Sequence, residues 1–369
     1  MKLIHCADLH LDSRMTSNLN KEKAKERKAE LLDTFTRMVD YAAENDVEAI
    51  LIAGDLFDTR NISATARNVV RDAISRHEDI LFFYLQGNHD TEHFFADWED
   101  MPENVKLFGS SWRSYMLGSG SVVVSGLELS PENASGAWHS LLLDPTNFNI
   151  VMLHGQEAET GAKDQAEVIR LRDLKNKGID HLALGHVHSF QYGKLDERGT
   201  WCYPGCLDGR GFDECGDHGF VLLDVDEETG VCQRSFVPFA SRRLHTISVD
   251  LSGCEGPAEE LERIQEALGK AEVSERDLIK IVLTGEVDVE DETDTEFLRK
   301  RLEPDFYFVK ISDETTLRVD AERFYLDESL KGEFVRTVMA QENLSDEDKA
   351  GAIRCGLRAI AGEEVLECD

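Results

Sequence analysis

The sequence predicts an α/β fold, and three observations carry that expectation. Short runs rich in Ile, Leu and Val recur along the first half of the chain, each with the length of a strand buried on both faces. Stretches with helical spacing of apolar residues separate the first of these runs. After His188 the pattern changes to strands joined by tight turns.

The strand signals cover residues 2–7, 49–53, 80–86, 122–127, 150–153 and 181–184. Residues 21–45 read as a helix whose Leu31, Phe35, Met38, Val39 and Ala42 share one face. The charged opening of that helix, 21–27, should be solvated. A second helix fits 63–76, with Ser63 as its N-cap, and a third fits 164–177. Segments 191–195, 200–203, 219–225 and 231–237 read as antiparallel strands with a turn at 226–230. They would form the second sheet of a sandwich that closes near Phe239. A smaller α+β unit then begins at His245, with strands at 245–251, 278–287 and 305–311 and helices at 257–270 and 295–302. The acidic stretch 288–294 is a solvated loop in this reading. Helices at 330–343 and 346–361 come last; Ser345 and Asp348 resemble a capping box, and Ile353, Leu357 and Ile360 form an apolar stripe. The expected domains are 1–244, 245–320 and a helical segment 321–369.

Composition narrows the classes. No apolar run approaches the ~20 residues that span a bilayer, and the chain opens directly into a strand, so a cytoplasmic protein without membrane contact is expected. In that compartment the eight cysteines should be reduced, and Cys202, Cys206 and Cys215 fit no standard zinc knuckle. The net charge is -33, and residues 251–369 hold 32 acids against 15 bases. Such acidity is wrong for a chain that grips DNA unaided, because phosphate contacts need Lys and Arg. It reads either as solubility or salt adaptation, or as a sign that a basic partner supplies the grip.

Five short motifs carry the chemistry: Asp8-Leu9-His10, Gly54-Asp55, Gly87-Asn88-His89-Asp90, His154-Gly155 and Gly185-His186-Val187-His188. Each follows an apolar strand signal. Singly they are weak, and an Asp-x-His at a strand end is commonplace. Gly185-His186-Val187-His188 is stronger, since both histidines face one way. Gly87-Asn88-His89-Asp90 is stronger still, because its glycine permits a sharp exit from a strand. Together they supply enough carboxylate, imidazole and amide donors for two adjacent metal ions. Such a pair serves displacement at phosphorus, because it steadies both the attacking and the leaving oxygen. Hydrolysis of a phosphoester is therefore expected. The other seven histidines (His5, His77, His93, His139, His181, His218 and His245) read as surface or core residues.

The set resembles the calcineurin-like metallophosphoesterase superfamily, whose pattern contains all five parts in this order. The resemblance implies a four-layer αββα sandwich. It also implies that Asp8, His10 and His188 hold one metal, that Asn88, His154 and His186 hold the second, and that Asp55 bridges them. A hydroxide shared by the ions would attack phosphorus. His89 would assist the leaving oxygen as a catalytic residue, Asp90 would orient His89, and Asp58 would stand behind the metals or beside the substrate. Mn²⁺ is the metal expected, with Fe²⁺, Zn²⁺ or Mg²⁺ as alternatives.

Finer likeness lies in Ile4-His5-Cys6-Ala7-Asp8-Leu9-His10-Leu11-Asp12-Ser13 and in Ile52-Ala53-Gly54-Asp55-Leu56-Phe57-Asp58. Both are similar to bacterial DNA-repair exonucleases of the SbcD-like and YhaO-like groups. The run Tyr203-Pro204-Gly205-Cys206, with Gly209-Arg210-Gly211-Phe212-Asp213-Glu214 and His218-Gly219-Phe220, is closest to the YhaO-like group. Arg14 stands where that group usually has proline. The likeness is good to about residue 245 and is one of layout beyond. It implies a DNA nuclease with a small capping domain, able to form a homodimer. Its terminal helices would meet an SMC-like, SbcC-type ATPase, here through Phe334, Val338, Ile353 and Leu357, or these residues would pack on their own domain instead. Two alternatives stand beside this: a small-substrate phosphodiesterase or phosphatase of the same superfamily, and an idle scaffolding subunit.

Overall fold

Alternation of apolar side chains along each central strand sets the layers, since neighbouring residues must face opposite ways. In the computed structural model, which describes residues 1–15, 19–58, 62–90, 94–134, 136–157, 168–289 and 293–361, the chain divides into two compact units, Met1–Arg243 and Leu244–Asp369. The first unit holds β1 (Lys2–Cys6), α1 (Lys21–Glu44), β2 (Val47–Ala53), α2 (Ala64–Arg76), β3 (Leu81–Leu85), β4 (Val105–Leu107), β5 (Arg113–Leu117) and β6 (Val122–Gly126). It continues through β7 (Phe148–His154), β8 (Gln156–Glu157), β9 (Val168–Ile169), α3 (Leu171–Leu174), β10 (His181–Gly185), β11 (Gln191–Lys194), β12 (Thr200–Tyr203), β13 (Gly219–Val225) and β14 (Cys232–Pro238).

Two six-stranded sheets result, ordered β14-β13-β1-β2-β3-β4 and β11-β12-β10-β7-β6-β5. Their central strands run parallel. On β1, Ile4 packs with Leu31, Phe35 and Met38 of α1, whereas Leu3 packs between the sheets with Ile150, Met152 and Ala183. The outer face of the second sheet buries Val151, Leu153, Leu182 and Leu184 under Trp138 and Leu174. This is a mixed α/β sandwich. Among the described residues its fourth layer is slim: a 3₁₀ turn at Ala137–His139 and the four-residue α3.

Three expectations change. The four late strands do not make the second sheet by themselves. β11 and β12 extend β10, with β12 parallel to it, whereas β13 pairs antiparallel with β1 and carries β14. Hydrogen-bonding edges on both sheets needed covering, and the chain shares its late strands between them. The expected helix 164–177 is α3 preceded by β9 within the described residues, and 164–167 lie outside them. The opening of α1 is not wholly solvated. Arg27 is 1% exposed and donates to Glu30, Asp208 Oδ1 (2.8 Å) and the Gly209 carbonyl (2.8 Å). A buried guanidinium survives because its donors are met by charge and carbonyl together. As the sequence indicated, Ser63 caps α2, its Oγ accepting from Ala66 N at 3.2 Å.

In the second unit, β15 (Leu244–Asp250), β16 (Leu278–Thr284) and β18 (Phe308–Asp313) form a parallel sheet backed by α4 (Pro257–Lys270) and α5 (Thr295–Leu302); β17 (Glu286–Asp288) pairs with β19 (Thr316–Arg318). The chain continues as α6 (Ala321–Leu326), α7 (Leu330–Met339) and α8 (Asp346–Ala361). Ile353 and Leu357 are buried with Phe324 and Val335, and Phe334 and Val338 pack against them. The four residues expected to meet a partner thus serve the unit's own core. Tyr325, Leu326 and Leu330 point outward instead, each more than 70% exposed. Cys6, Cys202, Cys206, Cys215, Cys232 and Cys254 are free thiols. Among the described residues no helix is long and apolar enough to cross a membrane.

Candidate metal centre

The central parallel strands end on one side of the sandwich, and their exits bend through backbone that side chains seldom adopt. Asp8 (φ 50°), His10 (φ 44°), Asp55 (φ 54°) and His186 (φ 103°) all have positive φ. Each such residue costs on the order of 1–3 kcal/mol, so the fold must hold them there, and such strain gathers at functional sites. Glycines let the exits approach closely. A Cβ at Gly87 would lie 2.2 Å from Asp55 Oδ1, and one at Gly185 would lie 1.8 Å from the Ala53 carbonyl.

One donor set gathers Asp8, His10 and His188. His10 Nε2 and His188 Nε2 lie 3.1 Å apart, and both Asp8 oxygens accept from His186 N, at 2.9 and 3.0 Å. A second set gathers around Asn88, whose Oδ1 is 3.0 Å from His154 Nε2 and 3.2 Å from His186 Nδ1. Asp55 stands between them: its Oδ2 is 3.7 Å from His10 Nε2 and 3.5 Å from His154 Nε2. Its Oδ1 is occupied by His89 N at 2.9 Å, which fixes the carboxylate.

Outer contacts set the tautomers. His154 Nδ1 lies 2.9 Å from the Ala53 carbonyl and must donate to it, which turns Nε2 toward the centre. His188 Nδ1 lies 2.7 Å from Glu214 Oε1, whereas Asp58 Oδ1 approaches the buried His10 Nδ1 only to 3.4 Å, without closing a hydrogen bond. Imidazoles backed by a carboxylate or carbonyl in this manner are typical of metal ligands.

Electrostatics agree. Burial, with Asp55 nearby and His154 opposing, pushes Asp8 up to about 7. Burial would lower His154, but Asp55 outweighs it and raises the imidazole to about 9. Asp8 and His154 thus hold protons more tightly than usual, and divalent cations could take the place of that positive charge among the carboxylate and imidazole donors.

His89 is 46% exposed at its side chain, with Nδ1 3.3 Å from Asp58 Oδ1. Its expected partner Asp90 is elsewhere. That buried carboxylate accepts from the backbone N–H groups of Leu56 (3.2 Å), Phe57 (3.0 Å) and Gly87 (3.0 Å). The sharp exits of β2 and β3 leave these N–H groups without strand partners, and Asp90 ties the two exits together. Burial and Asp55 hold its carboxyl up at about 6.

Sequence reasoning assigned no role to Arg210 and Glu214. Arg210 donates to Glu214 Oε1 at 2.8 Å and lies 3.5 Å from Asp58 Oδ1, so it braces the two carboxylates behind His188 and His10. No spacing rule links Glu214 to His188, 26 positions earlier. The hints were a polar loop, Gly209 to Glu214, lodged between strands, and the likeness of that run to the YhaO-like group.

A binuclear-type donor array at the strand ends of a double α/β sandwich defines a class of metal-dependent phosphoesterases. The chain belongs to the calcineurin-like phosphoesterase family, whose model matches residues 1–190. It is 30% identical over 239 residues to the uncharacterized metallophosphoesterase YhaO of Bacillus subtilis, covering 61% of this chain and 57% of that protein. It is 24% identical over 272 residues to the DNA double-strand break repair protein Mre11 of Methanosarcina acetivorans, covering 71% and 42%. The chain thus spans about half the length of these two relatives. With the Mre11 protein of Saccharolobus solfataricus it is 23% identical over 393 residues, covering 99% and 97%.

Proposed function

We propose that the chain is a two-metal DNA nuclease that hydrolyses phosphodiesters in repair, working with an SMC-like ATPase. The position of Asp55 Oδ2, between His10 Nε2 and His154 Nε2, carries the reading, because one oxygen within reach of two donor sets suits a pair of ions. Asp8, His10 and His188 would hold one ion, Asn88, His154 and His186 the other, and Asp55 both. Bound there, the ions supply positive charge that neutralises the phosphodiester and activates water. Mn²⁺ is the metal we favour.

The chain's own residues do the rest. Asp58 steadies the His89 ring, and the half-exposed imidazole offers its free nitrogen to the leaving oxygen as acid or hydrogen-bond donor. Arg210 holds Asp58 and Glu214 in place, so that His10 and His188 keep their Nε2 atoms inward. The likeness to proteins named for double-strand break repair supports DNA as substrate. Substrate selection falls to the second unit in this proposal, and the exposed Tyr325, Leu326 and Leu330 are the surface for the ATPase.

The net charge of -33 favours one rival, a phosphodiesterase for small substrates that never grips a DNA backbone. Labelled single- and double-stranded DNA, compared with a chromogenic phosphodiester in Mn²⁺, separates the two. Cleavage of DNA supports the nuclease; turnover of the small ester alone would establish the rival.

A further inference from the structure

An exposed aromatic stack flanks the centre, and nothing above uses it. Tyr192 is 72% exposed and Phe190 37% exposed. Their rings stack at 5.6 Å between centroids and 26°, and Phe190 stacks in turn on Phe236 at 4.5 Å and 27°. Phe236, on β14, packs at the margin of the core between the sheets. Phe190 and Phe236 therefore close the side of the sandwich where β11 and β14 are the edge strands. Tyr192 adds little to that closure, since most of its surface faces solvent. The outer face of the stack, that of Tyr192, is thus open to solvent beyond an already closed edge.

Topology puts this stack beside the metal ligands. β12 runs parallel to β10 and β11 antiparallel to β12, so β11 begins at the end of the sheet where β10 delivers His186. Phe190 follows His188 by two residues. That segment is pinned: Cys206 N donates to the His188 carbonyl at 3.1 Å, and Gly205 leaves no room for a Cβ against it. Tyr192 and Lys194 share one face of β11 by the two-residue period of a strand. Lys194 is 63% exposed at its side chain and makes a surface pair with Glu197, which a phosphate could replace at little cost.

We propose that Tyr192, stacked on Phe190, is a platform for an unpaired nucleobase of the substrate strand, with Lys194 reaching its backbone. The inference rests on the nuclease reading and specifies single-stranded nucleic acid, such as a frayed end, as what this flank takes. Stacking suits so acidic a chain, because every base offers a π-face and the contact needs no dense positive charge. A second copy of the chain fits less well: β11 is four residues long and carries Gly193 and Lys194, features that discourage edge pairing.

The test is binding by the full chain without metal, in EDTA, using a single strand with 2-aminopurine near its end and a blunt duplex of the same sequence. The wild type and Tyr192→Phe should quench the 2-aminopurine and prefer the single strand. Tyr192→Ala should lose the quench and weaken single-strand binding by about tenfold, with duplex binding little changed. Equal binding and quenching by Tyr192→Ala would overturn the platform. So would a Tyr192→Ala variant that changes only the oligomeric state in gel filtration, which would make the flank a subunit interface. If the wild type ignores the single strand yet cleaves duplex with Mn²⁺, the platform fails and the nuclease reading stands.

Discussion

The two donor sets of the centre are supported by different materials. Behind His10 and His188 stand carboxylates, Asp58 and Glu214, with Arg210 lying across both. Behind His154 stands a backbone carbonyl, that of Ala53, and its neighbour Asn88 is a neutral amide. The first set is thus tuned by charged side chains, Asp58 from beyond β2 and Arg210 and Glu214 from a late loop. The second is built into strand β7 and the exits of β2 and β3. A charged support raises ligand basicity and can be altered by one substitution; a backbone support can be disturbed only by moving the strand.

Asp55→Ala should erase the contrast, since it removes the oxygen common to both sets. Metal content measured on the purified protein should fall for both ions, and phosphodiester turnover should drop by about 10³ or more. Full occupancy in that variant would show the two sets to be independent. His89→Ala comes next: both ions stay and turnover falls by about 10²–10⁴, the range for a lost acid–base group. Loss of an ion there would make His89 a ligand and contradict its assigned place.

Glu214→Gln sharpens the comparison most directly. One ion should bind about 10–100-fold more weakly in calorimetric titration while the other is unaffected. Equal weakening of both would mean that the carboxylate supports the whole centre. Gly185→Ala attacks the second set through its backbone, by forcing a Cβ against the Ala53 carbonyl. A stability loss of about 1–3 kcal/mol in denaturant unfolding is expected, and an unchanged midpoint would show that the strands yield easily.

The smallest effect concerns what holds the late loop. Burial pushes Glu30 up, but hydrogen bonds from Arg242 and Arg27 outweigh it and leave the carboxyl below its ordinary value. A depressed carboxyl contributes stability above its unfolded pKa and loses it as pH falls through the folded one. The melting temperature of the wild type should therefore fall more steeply than that of Glu30→Gln as pH drops below about 4.3, the ordinary Glu value. Parallel curves would mean that the ion pairs contribute nothing there.

The proposed donors were legible because each sits in a contiguous motif at the end of an apolar strand, where local sequence fixes both the strand and its exit. Their supports were not. Asp90 sits beside His89 in the chain, yet it serves the backbone of two turns, because three stranded N–H groups outbid one imidazole. Glu214 and Arg27 take their roles from segments far away in sequence, and charge patterning gives no sign that Arg27 is buried. The late strands kept their positions but not their partners, since which sheet edge a strand covers is settled by tertiary packing.

The placement of β1 has a consequence for how the molecule is made. It lies between β2 and β13, so the first sheet waits for a strand that leaves the ribosome long after its neighbours. His10 and His188, 178 positions apart, cannot meet before then. During synthesis the nascent chain carries scattered histidines and aspartates with no cage to gather them. A cation centre built on these residues would therefore assemble only once His188 has been translated, when synthesis of this unit is nearly done.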